Sequence, residues 1–254
     1  MTTTSKIALI TGGSRGLGRD MALRIAEKGL NVIITYKSNA TEADKVVAQI
    51  RETGGKAAKL QLNTGEISGF HPFIEQLKKT LNEEFSTDHI DFLVNNAGIG
   101  GYKLIGEVTE DFFDELMNIH FKGVYFLTQQ LIPVLNDGGG IINVSSGLTR
   151  FAFPRSSAYA CMKGAIEVFT RYLGKELGSR GIRANTIAPG AIMTDFGNAH
   201  LRNSEESQKA VSAITALGRP GVAEDIGGVV AFLCTEDARW VNGQRIEISG
   251  GMQL

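Results

Sequence analysis

Apolar residues in this chain fall in short runs, and amphipathic stretches separate one run from the next through most of its length. The runs are 6–10 (KIALI), 30–38 with Val32, Ile33 and Ile34 at its centre, 57–62, 90–94, 141–144, 182–187 and 244–248. Each has the length of a strand and ends in glycine, asparagine or another turn-forming residue. The stretches between them repeat their apolar members at helical spacing: Met21, Leu23, Ile25 and Ala26 after the first run, then 40–53, 66–86, 109–135, 157–178 and 223–233. Strand and helix in regular alternation predict an α/β fold: a doubly wound, Rossmann-type parallel sheet with helices on both faces. Residues 191–216 break the pattern with short helical pieces and polar interruptions, as a mobile substrate lid would. No repeat or linker interrupts the chain, so residues 1–254 read as one domain.

Composition narrows the classes of function. With 254 residues, 43% of them hydrophobic, the chain has material for one large core. A formal net charge of −1 without long basic runs excludes nucleic acid or an anionic membrane as the main partner. No stretch approaches the roughly 20 apolar residues of a membrane span. The N-terminal MTTTSKIALITGG has four consecutive apolar residues and reads as a first strand, not an export signal. Cys161 and Cys234 are too few for a disulfide framework, which points to a reducing cytoplasm. A small buried filler is the expected role of Cys161, and no metal site is expected.

The first run leads straight into Thr11-Gly12-Gly13-Ser14-Arg15-Gly16-Leu17-Gly18 and then a helix. In that setting glycines 12, 16 and 18 let the backbone turn tightly and approach a pyrophosphate at the helix N-terminus. The second run ends in Tyr36-Lys37-Ser38, where a dinucleotide fold usually has an acid for the adenosine ribose. With Lys37 there and Arg15 in the loop, a 2′-phosphate is favoured, each cation contributing about 1.5 to 3 kcal/mol. The plain alternative is two ordinary surface charges.

The segment 143–163, NVSSGLTRFAFPRSSAYACMK, carries the candidate chemistry. Tyr159 and Lys163 are four residues apart at the start of a helix, on one face, with Ser146 upstream where a strand ends. A phenol with a pKa near 10 exchanges protons poorly at neutral pH, and a fixed cation beside it favours the phenolate. Such a group suits proton transfer at an alcohol or carbonyl oxygen while a cofactor moves a hydride. Tyrosine and lysine also fall four apart by chance on solvated faces, but Tyr36, Tyr102, Tyr125 and Tyr172 have no lysine at that spacing.

From Lys6 to about Gly251 these motifs together resemble the short-chain dehydrogenase/reductase family: Thr11 to Gly18, Asn95-Asn96-Ala97-Gly98, Ser146 thirteen residues before Tyr159, Lys163, and Pro189-Gly190 followed by Thr194. The resemblance implies a seven-stranded parallel sheet binding NAD(P). It makes Tyr159 the general acid or base, has Ser146 hydrogen-bond the carbonyl, and puts Lys163 on the nicotinamide ribose. Cofactor contacts are expected from Gly12, Ser14, Arg15, Gly16, Leu17, Gly18, Tyr36, Lys37, Ser38, Asn63, Thr64, Asn96, Ala97, Gly98, Tyr159, Lys163, Pro189, Gly190, Ile192 and Thr194. Substrate contacts are expected from Ser146, Tyr159, Phe151, Phe153 and Phe196, the last three favouring an apolar or aromatic molecule. Arg150 and Arg155 flank that rim. A dimer or tetramer is implied, joined through the long helices and the C-terminal strand.

Two positions depart from the family pattern. Asn63 stands where an aspartate often contacts adenine, and an amide serves there too. His120 replaces the asparagine of Asn-x-x-Gly that holds a water beside the lysine. Asn118 points roughly 200° away and is no substitute. His120 is thus either a proton relay titrating near pH 6.5, counted with the catalytic residues, or a neutral side chain that packs. The expected activity is an NADPH-dependent carbonyl reductase, reversibly a secondary-alcohol dehydrogenase. Reduction of 3-oxoacyl groups on acyl carrier protein is the nearest alternative, and a non-catalytic NADP sensor a more distant one.

Overall fold

A computed structural model describes residues 5–254. The first four residues, part of the stretch read above as lacking an export signal, lie outside the described residues. Seven strands form one parallel sheet in the order β3-β2-β1-β4-β5-β6-β7. They are β1 (Ile7–Ile10), β2 (Asn31–Tyr36), β3 (Ala57–Gln61), β4 (Ile90–Asn95), β5 (Leu135–Val144), β6 (Arg183–Pro189) and β7 (Arg245–Ile248). Because strand side chains alternate, one apolar run feeds two cores. Ala8 and Ile10 of β1 face α1 (Gly16–Glu27), α2 (Ala40–Glu52) and α9 (Glu224–Leu233), whereas Ile7 and Leu9 face α3 (Phe70–Thr80), α5 (Gly123–Leu131) and α6 (Ser157–Glu176). The sheet order reverses direction at β1 and β4, and the loops after those strands meet at the crevice where such folds take ligands.

The expected helix over 109–135 is broken into phases. It runs as α4 (Glu110–Met117), a π-helical turn (Asn118–Lys122) and α5, then tightens over Ile132–Val134. The wide turn lets Leu116 join Ala158 and Met162 in a small satellite core while Leu127 and Leu131 stay in the main one. Gly123 is required at its end, since a Cβ there would lie 1.9 Å from the carbonyl oxygen of Thr64. The helix expected over 66–86 also ends in a π turn, Leu81–Phe85.

The glycine-rich residues 136–140, between the helical stretch 109–135 and the run 141–144, fall inside β5. Ile90 pairs with Leu135 and Phe92 with Gly140, so the intervening residues of β5 bulge. Asp91 holds the bulge, accepting from Asn136 Nδ2 at 3.1 Å and from the Ile7 amide at 2.7 Å. Residues 191–216 contain α7 (His200–Asn203) and α8 (Glu205–Ala213). Cys161, expected to be buried, is exposed, because it lies on the face of α6 turned away from Lys163 and the sheet, whereas Cys234 is buried.

Candidate active site

The glycine loop is stitched from below by the turn after β4. Asn96 Nδ2 donates to the carbonyls of Thr11 and Gly12 at 2.9 and 3.1 Å, and Thr11 Oγ1 accepts from the amides of Asn96 and Ala97 at 3.0 Å each. Gly12 and Gly16 have positive φ, and a Cβ on Gly18 would lie 2.2 Å from the Gly12 carbonyl. No side chain caps α1 and its first turn holds no acid, so its amides remain available to an anion. This cradle fits a nicotinamide dinucleotide.

Thr194 lies across from Gly16 and Ala97 against Gly12, so the turns after β6 and β4 both come up to the glycine loop. Pro189 ends β6 and is buried. Arg15, Lys37 and Ser38 are exposed, and neither cation is drawn into an ion pair among the described residues. Tyr36 carries a cation on its ring: Lys59 Nζ lies 5.4 Å from the centroid and pairs with Asp44. Lys59 was not legible before the β2–β3 register set Ile34 beside it. Asn63 closes its own turn, donating to Glu66 at 2.7 Å and accepting from the Gly65 amide at 3.2 Å.

At the other end of the crevice α6 brings Tyr159 and Lys163 against the end of β5. Lys163 is buried, its Nζ donating to the Val144 carbonyl at 2.8 Å and lying 5.6 Å from the Tyr159 ring centroid. Burial holds its pKa down to about 7. Burial also raises the Tyr159 phenol well above its ordinary value; the neighbouring Tyr102 adds to the rise and a hydrogen bond with Ser146 opposes it. The sequence led us to expect the Lys163 charge to lower this phenol, but desolvation of both groups dominates. Ser146 Oγ accepts from the Leu148 amide at 3.2 Å, so its own proton is the one that enters the bond with Tyr159.

His120 is 1% exposed, packed edge-on to Tyr159 with ring centroids 5.1 Å apart. Its Nε2 lies 2.8 Å from the Ile99 carbonyl and 3.2 Å from the Ile99 amide, and Nδ1 is buried without a partner among the described residues. Burial, then the Lys163 charge, push its pKa well below 6.5. The expected titration near pH 6.5 therefore does not hold: the imidazole is neutral there.

Of the expected substrate residues, Phe196 reaches the site, its ring 6.0 Å from Tyr159. Phe151 packs on Gly147, and Phe153 leans on Phe151 at 5.3 Å with 37% exposure. Arg150 is not a free rim charge: it grips Glu247 through two bonds, at 2.8 and 2.7 Å. Tyr102 was missed by sequence reasoning. It lies against Gly197, next to Phe196, where Gly100 and Gly197 meet backbone to backbone. Also missed was a buried polar ladder, Asn95 to Asn143 at 2.8 Å, Asn143 to Thr170 at 2.8 Å and Thr186 to Thr170 at 2.9 Å, which ties β4, β5, β6 and α6 together. Isolated polar residues within apolar runs were its one visible trace.

Comparison with known proteins agrees with this geometry. A family model described as enoyl-(acyl carrier protein) reductase matches residues 12–253. A short chain dehydrogenase of Emericella nidulans is 34% identical over 257 residues, covering 97% of this chain and 94% of its own. The chain belongs to the short-chain dehydrogenase/reductase family. It is accordingly an oxidoreductase of carbonyl and CH–OH groups. Among solved structures of this family, the promiscuous reductase LugOII, which catalyses keto-reduction at C1 during lugdunomycin biosynthesis, superposes with a TM-score of 0.93 at 38% identity, covering 99% of each chain. The landomycin C-6 ketoreductase LanV, with bound NADP and rabelomycin, gives 0.89 at 37% identity over 98% of this chain and 97% of its own.

Proposed function

We propose that this protein is an NADPH-dependent ketoreductase acting on an aromatic, fused-ring ketone. The observation that carries the reading is the Ser146–Tyr159–Lys163 group, with the phenol held protonated and the serine hydroxyl hydrogen-bonded beside it. Both hydroxyls then have a proton to give to one carbonyl oxygen. Tyr159 is the general acid and Ser146 the hydrogen-bond donor to the developing alkoxide. When bound, the nicotinamide cofactor supplies the hydride. The amides of Gly16, Leu17 and Gly18 would hold its pyrophosphate, Asn96, Ala97 and Gly98 would line it, and Lys163 would bond its ribose. Arg15 and Lys37, both without a carboxylate partner among the described residues, favour NADPH over NADH. Tyr102 and Phe196, neighbours at Gly197 and both partly exposed, offer aromatic surface beside Tyr159 to a flat substrate. The keto-reduction by LugOII and the rabelomycin bound beside NADP in LanV support a small-molecule ketone as substrate. Residues 191–216 act as the lid.

Reduction of a 3-oxoacyl carrier-protein thioester is a second reading, favoured by the description of the matching family model. With Arg150 bound to Glu247, Arg155 is the one remaining rim arginine of that loop for an acidic carrier. The chain would work as a homodimer or homotetramer in a reducing, cytoplasmic setting. No helix among the described residues is long and apolar enough to cross a membrane.

NADPH and NADH oxidation over a panel of fused-ring ketones, simple ketones and acetoacetyl thioesters tests the reading. Turnover with NADPH on the fused-ring members, lost by at least about 1,000-fold in Tyr159→Phe with nucleotide binding intact, is the expected result. Preference for the thioester would select the second reading.

A further inference from the structure

Glu167 lies one helical turn beyond Lys163 on α6 and reaches under the catalytic loop. Its Oε1 is 2.7 Å from Ser145 Oγ, 2.7 Å from Thr149 Oγ1 and 2.8 Å from Arg245 Nε. Arg245 comes from β7, 99 positions along the chain from Ser146, and its Nη2 donates to the Ser146 carbonyl at 3.2 Å. The side chains of Arg245 and Glu167 are 24% and 15% exposed, so water screens the pair less than it would at the surface. A second link runs outward: Arg245 Nη1 donates to Glu247 at 2.9 Å, Glu247 holds Arg150, and Arg150 donates to the carbonyls of Met252 and Gln253 at 2.6 and 2.8 Å.

Two anchors therefore converge on the serine. Arg245 holds the backbone carbonyl of Ser146 from the sheet, and Glu167 holds the residues around it, Ser145 and Thr149, from the helix that carries Tyr159. The hydroxyl of Ser146 and the phenol of Tyr159 can act on one oxygen only if loop and helix keep their spacing. Neither Arg245 nor Glu167 belongs to the nucleotide cradle.

We propose that the Arg245–Glu167 pair is a positioning device for the reaction, setting Ser146 against Tyr159, and that turnover needs it while nucleotide binding does not. The inference rests on the ketoreductase reading, but part of its test does not depend on turnover. Arg245→Met is expected to lower kcat for ketone reduction by 10- to 100-fold, with the Kd for NADPH within twofold of wild type. Arg245→Lys keeps the charge but cannot reach both Glu167 and the Ser146 carbonyl, so it should fall between. Lys6→Gln, which removes the remote ion pair with Glu236, is the control and should leave kcat unchanged.

Amide hydrogen exchange at residues 146–150 should rise at least about tenfold in Arg245→Met, whether or not a substrate is known. Wild-type kcat in Arg245→Met, or unchanged exchange in this loop, would overturn the proposal. So would equal losses of kcat and NADPH affinity in both Arg245 variants, which would mark a general folding role. If Arg245→Met does not fold, Arg245→Lys and Glu167→Gln decide by the same two readouts. A wild-type protein inactive on every ketone condemns the ketoreductase reading, and the exchange result still judges the pair.

Discussion

Lys163 carries its function at a cost to the fold. Its pKa of about 7, against 10.5 for an ordinary lysine, means that the folded state binds fewer protons than the unfolded chain between those values. The penalty is therefore complete below pH 7 and disappears as pH rises through 10.5, amounting to at most about 5 kcal/mol. Loss of the bond to the Val144 carbonyl would return about 1 to 3 kcal/mol of that. Lys163→Met should thus abolish turnover yet raise Tm at pH 6 by several degrees, with the gain shrinking toward pH 10; thermal melts across that range check it. His120 has the same sign on another scale. Its folded pKa lies below 6.5, so its contribution is intact above pH 6.5 and erodes below it by about 1.4 kcal/mol per pH unit. Between pH 6.5 and 5 the wild type should lose Tm faster than His120→Asn. Parallel melting curves would show that the imidazole protonates freely in the fold.

The helix that carries His120 shows how packing at the element scale can hinge on one glycine. At Gly123 an added methyl meets the Thr64 carbonyl with no room to relax, so Gly123→Ala should cost at least about 3 kcal/mol. Urea denaturation measures it, and a loss below about 1 kcal/mol would mean that the loop after β3 yields. The seven strands, the glycine cradle and the Ser146–Tyr159–Lys163 group were legible because each rests on local chemistry: strand runs, positive φ, four-residue spacing. The π turn at 118–122 was not, since Leu116, Ile119, Val124 and Leu127 fit a regular helix as well as a widened one. The bulge in β5 was not legible either, because Gly138 and Gly139 signal a turn as readily as a bulge. Tyr102, Glu167 and Arg245 were invisible for a different reason: their partners lie tens of residues away, and only the folded register sets them together.

At the scale of the whole molecule, the outer side of α5 and α6 is aromatic. Tyr125 stacks on Phe169 at 4.6 Å, and Tyr125, Val168 and Tyr172 are 37%, 45% and 63% exposed. We expect this ridge to pack against a second copy, and Tyr125→Asp with Tyr172→Asp to lower the oligomer mass by half or more in sedimentation. An unchanged mass would move the interface elsewhere, to the surface around Trp240, which is 96% exposed. The wide turn ahead of α5 reaches further than its five residues. Because it separates two helical phases, one seating Leu116 against α6 and the other seating Leu127 and Leu131 in the main core, the chain there has a fixed count as well as a fixed chemistry. Related sequences can exchange residues between 118 and 122, but dropping a single one would rotate α5 by about 100° against α4 and pull one of the two cores apart.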